Sequence, residues 1–412
     1  MRKSKKTKLL VLIVALVMVG VFAVGCGGGS APAAEAPATE APATEAPATE
    51  APAGDVLVKT IGFYADAQDS YYSLMNDAFV GMANLDPECD WTVDFKMGNN
   101  TADEQLKAVE DFITAGYDAI AVIQNNAGTT SECIAKAKEA GIPYFGAAHA
   151  FADVPNAADA AASVNYDFVK AGVLAGEDAM ANGVSKVIFI QGFLGQGSAA
   201  GQSYGFLKAY EDAGKSLGDK ADGSAWTVDE ICDVFPAPSE IKGNPDLVVV
   251  VWDTGGWMTD AALAAMQNAI ASLGKDEWDG AYVHNNPMVE GAMTAMQEAG
   301  LSTKDYWLGS LNGREISWAW AQEGLISFDA NQPAAMEGAV MYQQMKEYFQ
   351  TGSVAKKHVF PYLTPYTKDN INDVIDILVP CTDIDAFLAG VQEDRFVWRL
   401  EDPKFELIPW YN

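Results

Sequence analysis

VKTIGFYADAQDSYYSLMNDAFVGM, residues 58–82, decides the fold of the chain. Its first part, with Val58, Ile61, Phe63 and Tyr64, is apolar and β-branched or aromatic, which predicts a strand. Turn-forming residues from Ala65 to Ser70 break that run. From Tyr71 onward the apolar side chains Tyr72, Met75, Phe79 and Met82 recur at helical spacing. A strand, a short loop and a helix form the opening unit of a parallel α/β sheet. The loop falls at the carboxyl end of the strand, where open α/β sheets take their ligands. It delivers Asp69, Tyr71 and Tyr72 to that edge.

The same rhythm continues outward from this stretch. Trp91–Phe95 alternates as a strand, and a helix over 102–115 ends at Gly116. Asp118–Ile123 is an almost wholly apolar strand, 129–140 a helix stopped by Gly141, and Ile142–Gly146 a fourth strand. An irregular segment from Ala147 to Asn165 interrupts the alternation, which then restarts. Strands are expected at 186–191, 246–252, 280–284, 305–309 and 325–329. Helices are expected at 168–180, 198–213, 259–271, 288–299, 316–323 and 333–349. The polar stretch 215–243 reads as a surface insertion. Two βα series with a break between them predict two Rossmann-like, parallel-sheet α/β lobes.

The amino-terminal residues carry a separate message. Five basic residues precede an apolar run from Leu9 to Val24, as in a secretion signal. The run is shorter than the roughly 20 residues a membrane span prefers. Ala23-Val24-Gly25-Cys26 resembles the lipobox of bacterial lipoproteins, which implies lipidation of Cys26 and a signal peptide over residues 1–25. Residues 26–55 hold repeats of Ala, Pro, Thr and Glu that cannot bury a core and read as a solvated linker. The expected localisation is extracytoplasmic, on a lipid anchor in the cell membrane.

A formal net charge of -30 argues against a nucleic-acid partner or direct binding to anionic lipid. With Cys26 lipidated, Cys89, Cys133, Cys232 and Cys381 allow three disulfide pairings among which the sequence does not choose. No metal-ligand spacing is present, and His149, His284 and His358 are widely dispersed. No cofactor is expected. Gly195-Gln196-Gly197-Ser198-Ala199-Ala200 fits the dinucleotide pattern G-x-G-x-x-A, yet it lies away from the first strand in a chain with an export signal.

The segments at 60–79, 97–123, 137–145 and 278–300, in that order, resemble the type I periplasmic sugar-binding family, the ribose- and galactose-binding proteins of ABC importers. The resemblance spans roughly Val58 to Thr364. It implies lobe one over 56–165 plus 332–362, lobe two over 166–331 plus 363–412, a three-crossing hinge, and a ligand held between the lobes. It also implies a small-molecule sugar or related neutral ligand, an ABC permease as partner, a monomer, and no enzymatic activity.

Residue by residue, the resemblance implies ligand contacts from Asp69, Tyr71 and Tyr72 after the first strand. His149 stands where the family has an arginine and Ala148 where it has an aspartate. Gln202 replaces a second arginine, and Trp257 matches an aromatic before a helix. Asn285, Asn312 and Asn331 complete the set, Asn312 at a position where an aspartate is common. The pocket expected from these residues is nearly uncharged apart from Asp69. Rings that cover apolar C–H faces and amides that meet hydroxyls suit a sugar, and equally a nucleoside. The alternative role on this fold is a sensory receptor for an autoinducer or nucleoside.

Overall fold

The computed structural model describes residues 56–149, 151, 154–233, 241–375, 383–392 and 406–407. Cys26, Cys381, the signal segment and the linker lie outside them. Within them Cys89, Cys133 and Cys232 are free thiols.

The opening stretch forms β1 (Leu57–Ala65) and α1 (Ser70–Leu85). Alternation of side chains along β1 sends Ile61, Phe63 and Ala65 to one core and Tyr64 to the other. The chain continues through β2 (Cys89–Met97), α2 (Ala102–Ala115), β3 (Ala119–Ile123), α3 (Ala127–Ala140), β4 (Tyr144–Ala148) and β5 (Ala162–Asn165). Thr101 and Asn126 cap α2 and α3, and Gly116 and Gly141 end them in left-handed conformation. β1 lies between β2 and β3, all parallel, so the sheet grows outward from the first strand in both directions.

A second series follows: α4 (Phe168–Ala181), β6 (Lys186–Gln191), α5 (Gly197–Asp212), α6 (Val228–Asp233), β7 (Val248–Thr254), α7 (Thr259–Ser272), β8 (Gly280–Val283), α8 (Asn286–Glu298), β9 (Trp307–Gly309) and α9 (Glu315–Glu323). Its parallel sheet has the order β7-β6-β8-β9, the same winding as β2-β1-β3-β4 in the first. β6 alternates as β1 does: Val187 and Phe189 face α4 and α5, while Ile188 and Ile190 face α7 and α8. The two parallel-sheet halves expected from the sequence are present.

The remaining elements are β10 (Asp329–Asn331), α10 (Ala334–Thr351), β11 (His358–Phe360), β12 (Thr364–Tyr366), α11 (Ile371–Val374), α12 (Ile384–Gln392) and β13 (Glu406–Leu407). The chain crosses from the first sheet to the second after β5, returns after β10, and crosses again between β11 and β12. β10 and β12 pair antiparallel as a two-stranded ribbon at these crossings. Asp329 sits buried there, accepting from Asn286 Nδ2 (2.8 Å) and Tyr366 Oη (2.9 Å).

Three expectations need correction. The segment from Ala147 to Asn165, expected to be irregular, ends in β5, which pairs parallel with β4 and β11 and so extends the first sheet. The strand expected at 325–329 forms at Asp329–Asn331, because Phe328 makes only a single bridge to Gly309 before the chain turns to pair with β12. The tail expected to pack on lobe two divides. Tyr366 and Ile371 join the second half's core, but α12 packs on α1 and β13 pairs with β11 in the first sheet. Phe387 and Val391 lie at helical spacing and bury in the first half's core. Leu388 fills the gap at Gly81 of α1, where an added Cβ would stand 2.5 Å from its Cδ1.

Candidate functional site

The carboxyl ends of both parallel sheets face one cleft of about 590 Å³. The loops after β1, β2, β4, β6, β7, β8 and β9 each contribute to its wall, the location expected of a ligand site in open α/β sheets. Asp69, Tyr71, Tyr72, His149, Gln202 and Trp257 all line it, together with Asn285 and Asn312.

Asp69 has a structural duty as well. As the N-cap of α1 its carboxylate accepts the Tyr71 N–H at 2.8 Å, which orients the two tyrosines. Asp69→Ala is expected to cost about 1 kcal/mol of stability, measured by urea denaturation; an unchanged midpoint would contradict this capping role. Tyr71 and Tyr72 then stand edge-on, with ring centres 6.0 Å apart. Tyr71 Oη donates to Glu337 Oε2 (2.7 Å), a carboxyl fully buried on α10 and pushed up to about 8 by that burial.

Tyr72 Oη lies 3.0 Å from His149 Nε2, and His149 Nδ1 lies 2.9 Å from Ser198 Oγ. Burial pushes the His149 imidazole down to about 4, so near neutrality it is uncharged, with one nitrogen donating and the other accepting. Asp66 Oδ2 is 3.8 Å from Nε2, and burial lifts that carboxyl to about 7. Trp257 stacks on His149 with centres 6.5 Å apart and planes 26° from parallel. Its Nε1–H donates to Gln196 Oε1 at 2.6 Å, while Gln196 Nε2 reaches Asp66 Oδ2 (3.4 Å) and the Asn125 carbonyl (3.3 Å). Gln196 and Ser198, at the start of α5, therefore tie the second half to the first beside the cleft.

The amides are largely committed to the frame. Gln202 Oε1 accepts from Tyr282 Oη at 3.0 Å. Asn285 caps α8 by accepting the Met288 N–H (3.0 Å), and its Nδ2 donates to the Trp257 carbonyl (3.3 Å). Asn312 Oδ1 accepts the Asn286 N–H at 3.2 Å and its Nδ2 donates to Gln332 Oε1 at 3.4 Å. All three line the cleft, Gln202 while bonded to β8 and Asn285 and Asn312 while holding neighbouring loops.

Backbone strain marks the same place. Among the described residues, four other than glycine have left-handed φ: Asn100 (60°), Ala148 (66°), Trp257 (65°) and Asn312 (124°). All four line the cleft. Such conformations cost on the order of 1–3 kcal/mol each and persist where surrounding structure imposes them. Trp257 needs a second concession: a Cβ at Gly192 would stand 2.0 Å from its ring.

Asn331 is the exception among the sequence-derived site residues. It is buried within β10, and its neighbour Gln332 lines the cleft instead. Sequence reasoning also passed over Asp66, Asp77 and Arg314, all cleft-lining, so the wall carries more charge than Asp69 alone. The signal for Arg314 was its place just after the strand ending at Gly309. For Asp66 it was membership of the same loop as Asp69. Glu337 was missed too, although an acid in the run Ala334-Ala335-Met336-Glu337-Gly338-Ala339-Val340-Met341 is conspicuous. Among the described residues no group of three or more His, Cys, Asp or Glu could hold a metal ion.

A family model described as "Periplasmic binding protein domain" matches residues 61–353. The xylitol-binding protein of Mycolicibacterium smegmatis (strain ATCC 700084 / mc(2)155) is 26% identical over 306 residues, 72% of this chain and 73% of that protein. The galactofuranose-binding protein YtfQ of Escherichia coli (strain K12) is 24% identical over 288 residues, 68% of this chain and 79% of its own. Among solved structures, the crystal structure of a galactofuranose binding protein has a TM-score of 0.64 at 22% identity, covering 77% of this chain and 97% of that one.

Proposed function

Because the chain belongs to the periplasmic binding protein domain family, a family of solute-binding proteins rather than enzymes, we propose that it is the extracytoplasmic receptor of an ABC importer for a small neutral sugar or polyol. The observation that carries this reading is one cleft between two lobes where Tyr71, Tyr72 and Trp257 gather with neutral hydrogen-bonding groups. A sugar offers apolar C–H faces to rings and a rim of hydroxyls to amides and imidazole. His149 is uncharged near neutrality, and Asp66, with its carboxyl lifted to about 7, is partly protonated there. Such groups both donate to and accept from hydroxyls without demanding a charge on the ligand. The names of the two relatives, one binding xylitol and one galactofuranose, support the same ligand class.

Contacts such as His149–Ser198 and Gln196–Asp66 bridge the halves beside the ligand space. Ligand contacts to both halves would bias a hinge equilibrium toward this closed arrangement. The sequence at Cys26 supports a lipid anchor, and the linker over 26–55 a spacer between membrane and receptor.

A thermal-shift screen over pentitols, furanose and pyranose monosaccharides, inositols and nucleosides tests this directly. The expected result is a higher Tm with at least one neutral sugar or polyol, since ligand at a hundred times Kd stabilises by about 2.7 kcal/mol. A shift with nucleosides alone, or with none of them, would reject it.

A further inference from the structure

The carboxyl-terminal helix α12 reaches the cleft although it lies beyond residues 61–353, the span matched by the family. Its first residue, Ile384, lines the ligand space and packs against the first half's core. Asp383 Oδ1 accepts the Ala386 N–H (2.9 Å) at the start of the helix, and the helix is held in place by the fully buried Phe387, by Val391 in the first half's core and by Leu388 in the gap at Gly81. On α1, Leu74 and Asp77 also line the cleft, and Gly81 follows one turn later on the same side. α12 thus begins at the ligand space, where Ile384 lines the same cleft as Leu74, and lies along α1 with Leu388 seated at Gly81.

We propose that α12 is an added wall of the binding site, and that Ile384 sets specificity by giving the ligand an apolar contact on the side of Leu74 and Asp77. Leu388 is a positioning residue that acts through Ile384. The proposal rests on the reading of the cleft as a sugar or polyol site, and it deepens it: the favoured ligand presents a C–H surface, not only hydroxyls, toward α12. An aliphatic group against such a surface gains from area removed from water. The hydroxyl-reading groups, His149, Gln202 and Asn285, line the cleft from other elements.

The test is isothermal titration calorimetry of the full chain with xylitol, D-galactose and myo-inositol. It compares wild type with Ile384→Ala, Leu388→Asp, Leu388→Met and the double variant Ile384→Ala/Leu388→Asp. For whichever probe binds wild type best, Ile384→Ala is expected to weaken binding about tenfold. Leu388→Asp should do the same and Leu388→Met should retain wild-type affinity. The double variant should be no weaker than Leu388→Asp alone, because both changes remove one contact. Wild-type affinity in Ile384→Ala overturns the wall, whatever Leu388→Asp does, and leaves the cleft assignment standing. If none of the three binds wild type, the strongest sugar or polyol of the thermal-shift screen replaces them as the probe, and a wild type that binds no sugar or polyol of that screen overturns the sugar or polyol reading and the wall with it.

Discussion

Trp257→Ala is expected to lower affinity for the bound sugar or polyol roughly a hundredfold, the largest loss from any single side chain of the cleft. A large ring in a central, mostly desolvated position is the usual binding hot spot, where truncation costs about 2–4 kcal/mol, and 1.4 kcal/mol is a factor of ten. Three features show that the ring is placed rather than incidental: φ of 65°, the 2.6 Å hydrogen bond from Nε1 to Gln196, and the glycine at 192 beneath it. Removal also frees Gln196, which links Asp66 and the Asn125 carbonyl to the second half. The closed arrangement should therefore weaken together with the direct contact. Trp257→Gly separates the effects, since glycine accepts left-handed φ without penalty. It should lose affinity as alanine does while keeping a sound fold. Calorimetric titration that returned wild-type Kd for both variants would remove Trp257 from the site.

Stability is expected to fall as pH rises from about 6.5 to 8.5, and Glu337→Gln should largely abolish the fall. Glu337 keeps its proton in the folded protein up to about pH 8, against an ordinary value of 4.5. Between those values the native state binds more protons than the unfolded chain, so stability declines with rising pH. Asp66, lifted to about 7, and Asp329, lifted to about 6, act with the same sign. The buried histidines act oppositely. His149 and His358 are pushed down to about 4 and His284 to about 3, so they charge only on unfolding below about 6.5. The two groups offset each other in mild acid. By about pH 7.5 the histidines are largely neutral in both states and no longer offset the carboxyls, which then set a slope of roughly 1 kcal/mol per pH unit. Glutamine keeps an acceptor for the Tyr71 hydroxyl but cannot ionise. Glu337→Gln should exceed wild type by a few kcal/mol at pH 8.5 and match it closely near pH 5, as read from urea midpoints. Parallel curves for the two proteins would show that Glu337 does not titrate in this range.

Much of this molecule was legible before its structure. Strands and helices announce themselves through local periodicity, so most of the alternation from β1 to α10 and the doubling into two sheets follow from spacing, whereas the short strands β5 and β10 do not. The loop after β1 was placed at the ligand edge for the same reason, and its tyrosines do line the cleft. What escaped was decided by distance along the chain. Asn331 and Gln332 are adjacent, and which of them faces the cleft depends on how β10 pairs with β12, across more than thirty residues. Asp66 becomes a partly protonated acid only because the fold buries it, against the lowering effect of hydrogen bonds from Tyr72 and Gln196, and Gln196 and His149 reach it from distant parts of the chain. Glu337 stands out as an acid in an apolar run, but its partner is fixed only when α10 is laid against the first half and brings it to the Tyr71 hydroxyl.

The tail is the sharpest case. Its apolar residues Phe387, Leu388 and Val391 required burial, and the sequence by itself determined that much. Either half could have supplied the surface. Only the tertiary structure decided for α1, where Gly81 leaves a side chain's worth of space that Leu388 fills. Periodicity tells a helix which face to hide, but the complementary hollow is made by residues some three hundred positions away, and shape at that range exists only once the chain has folded.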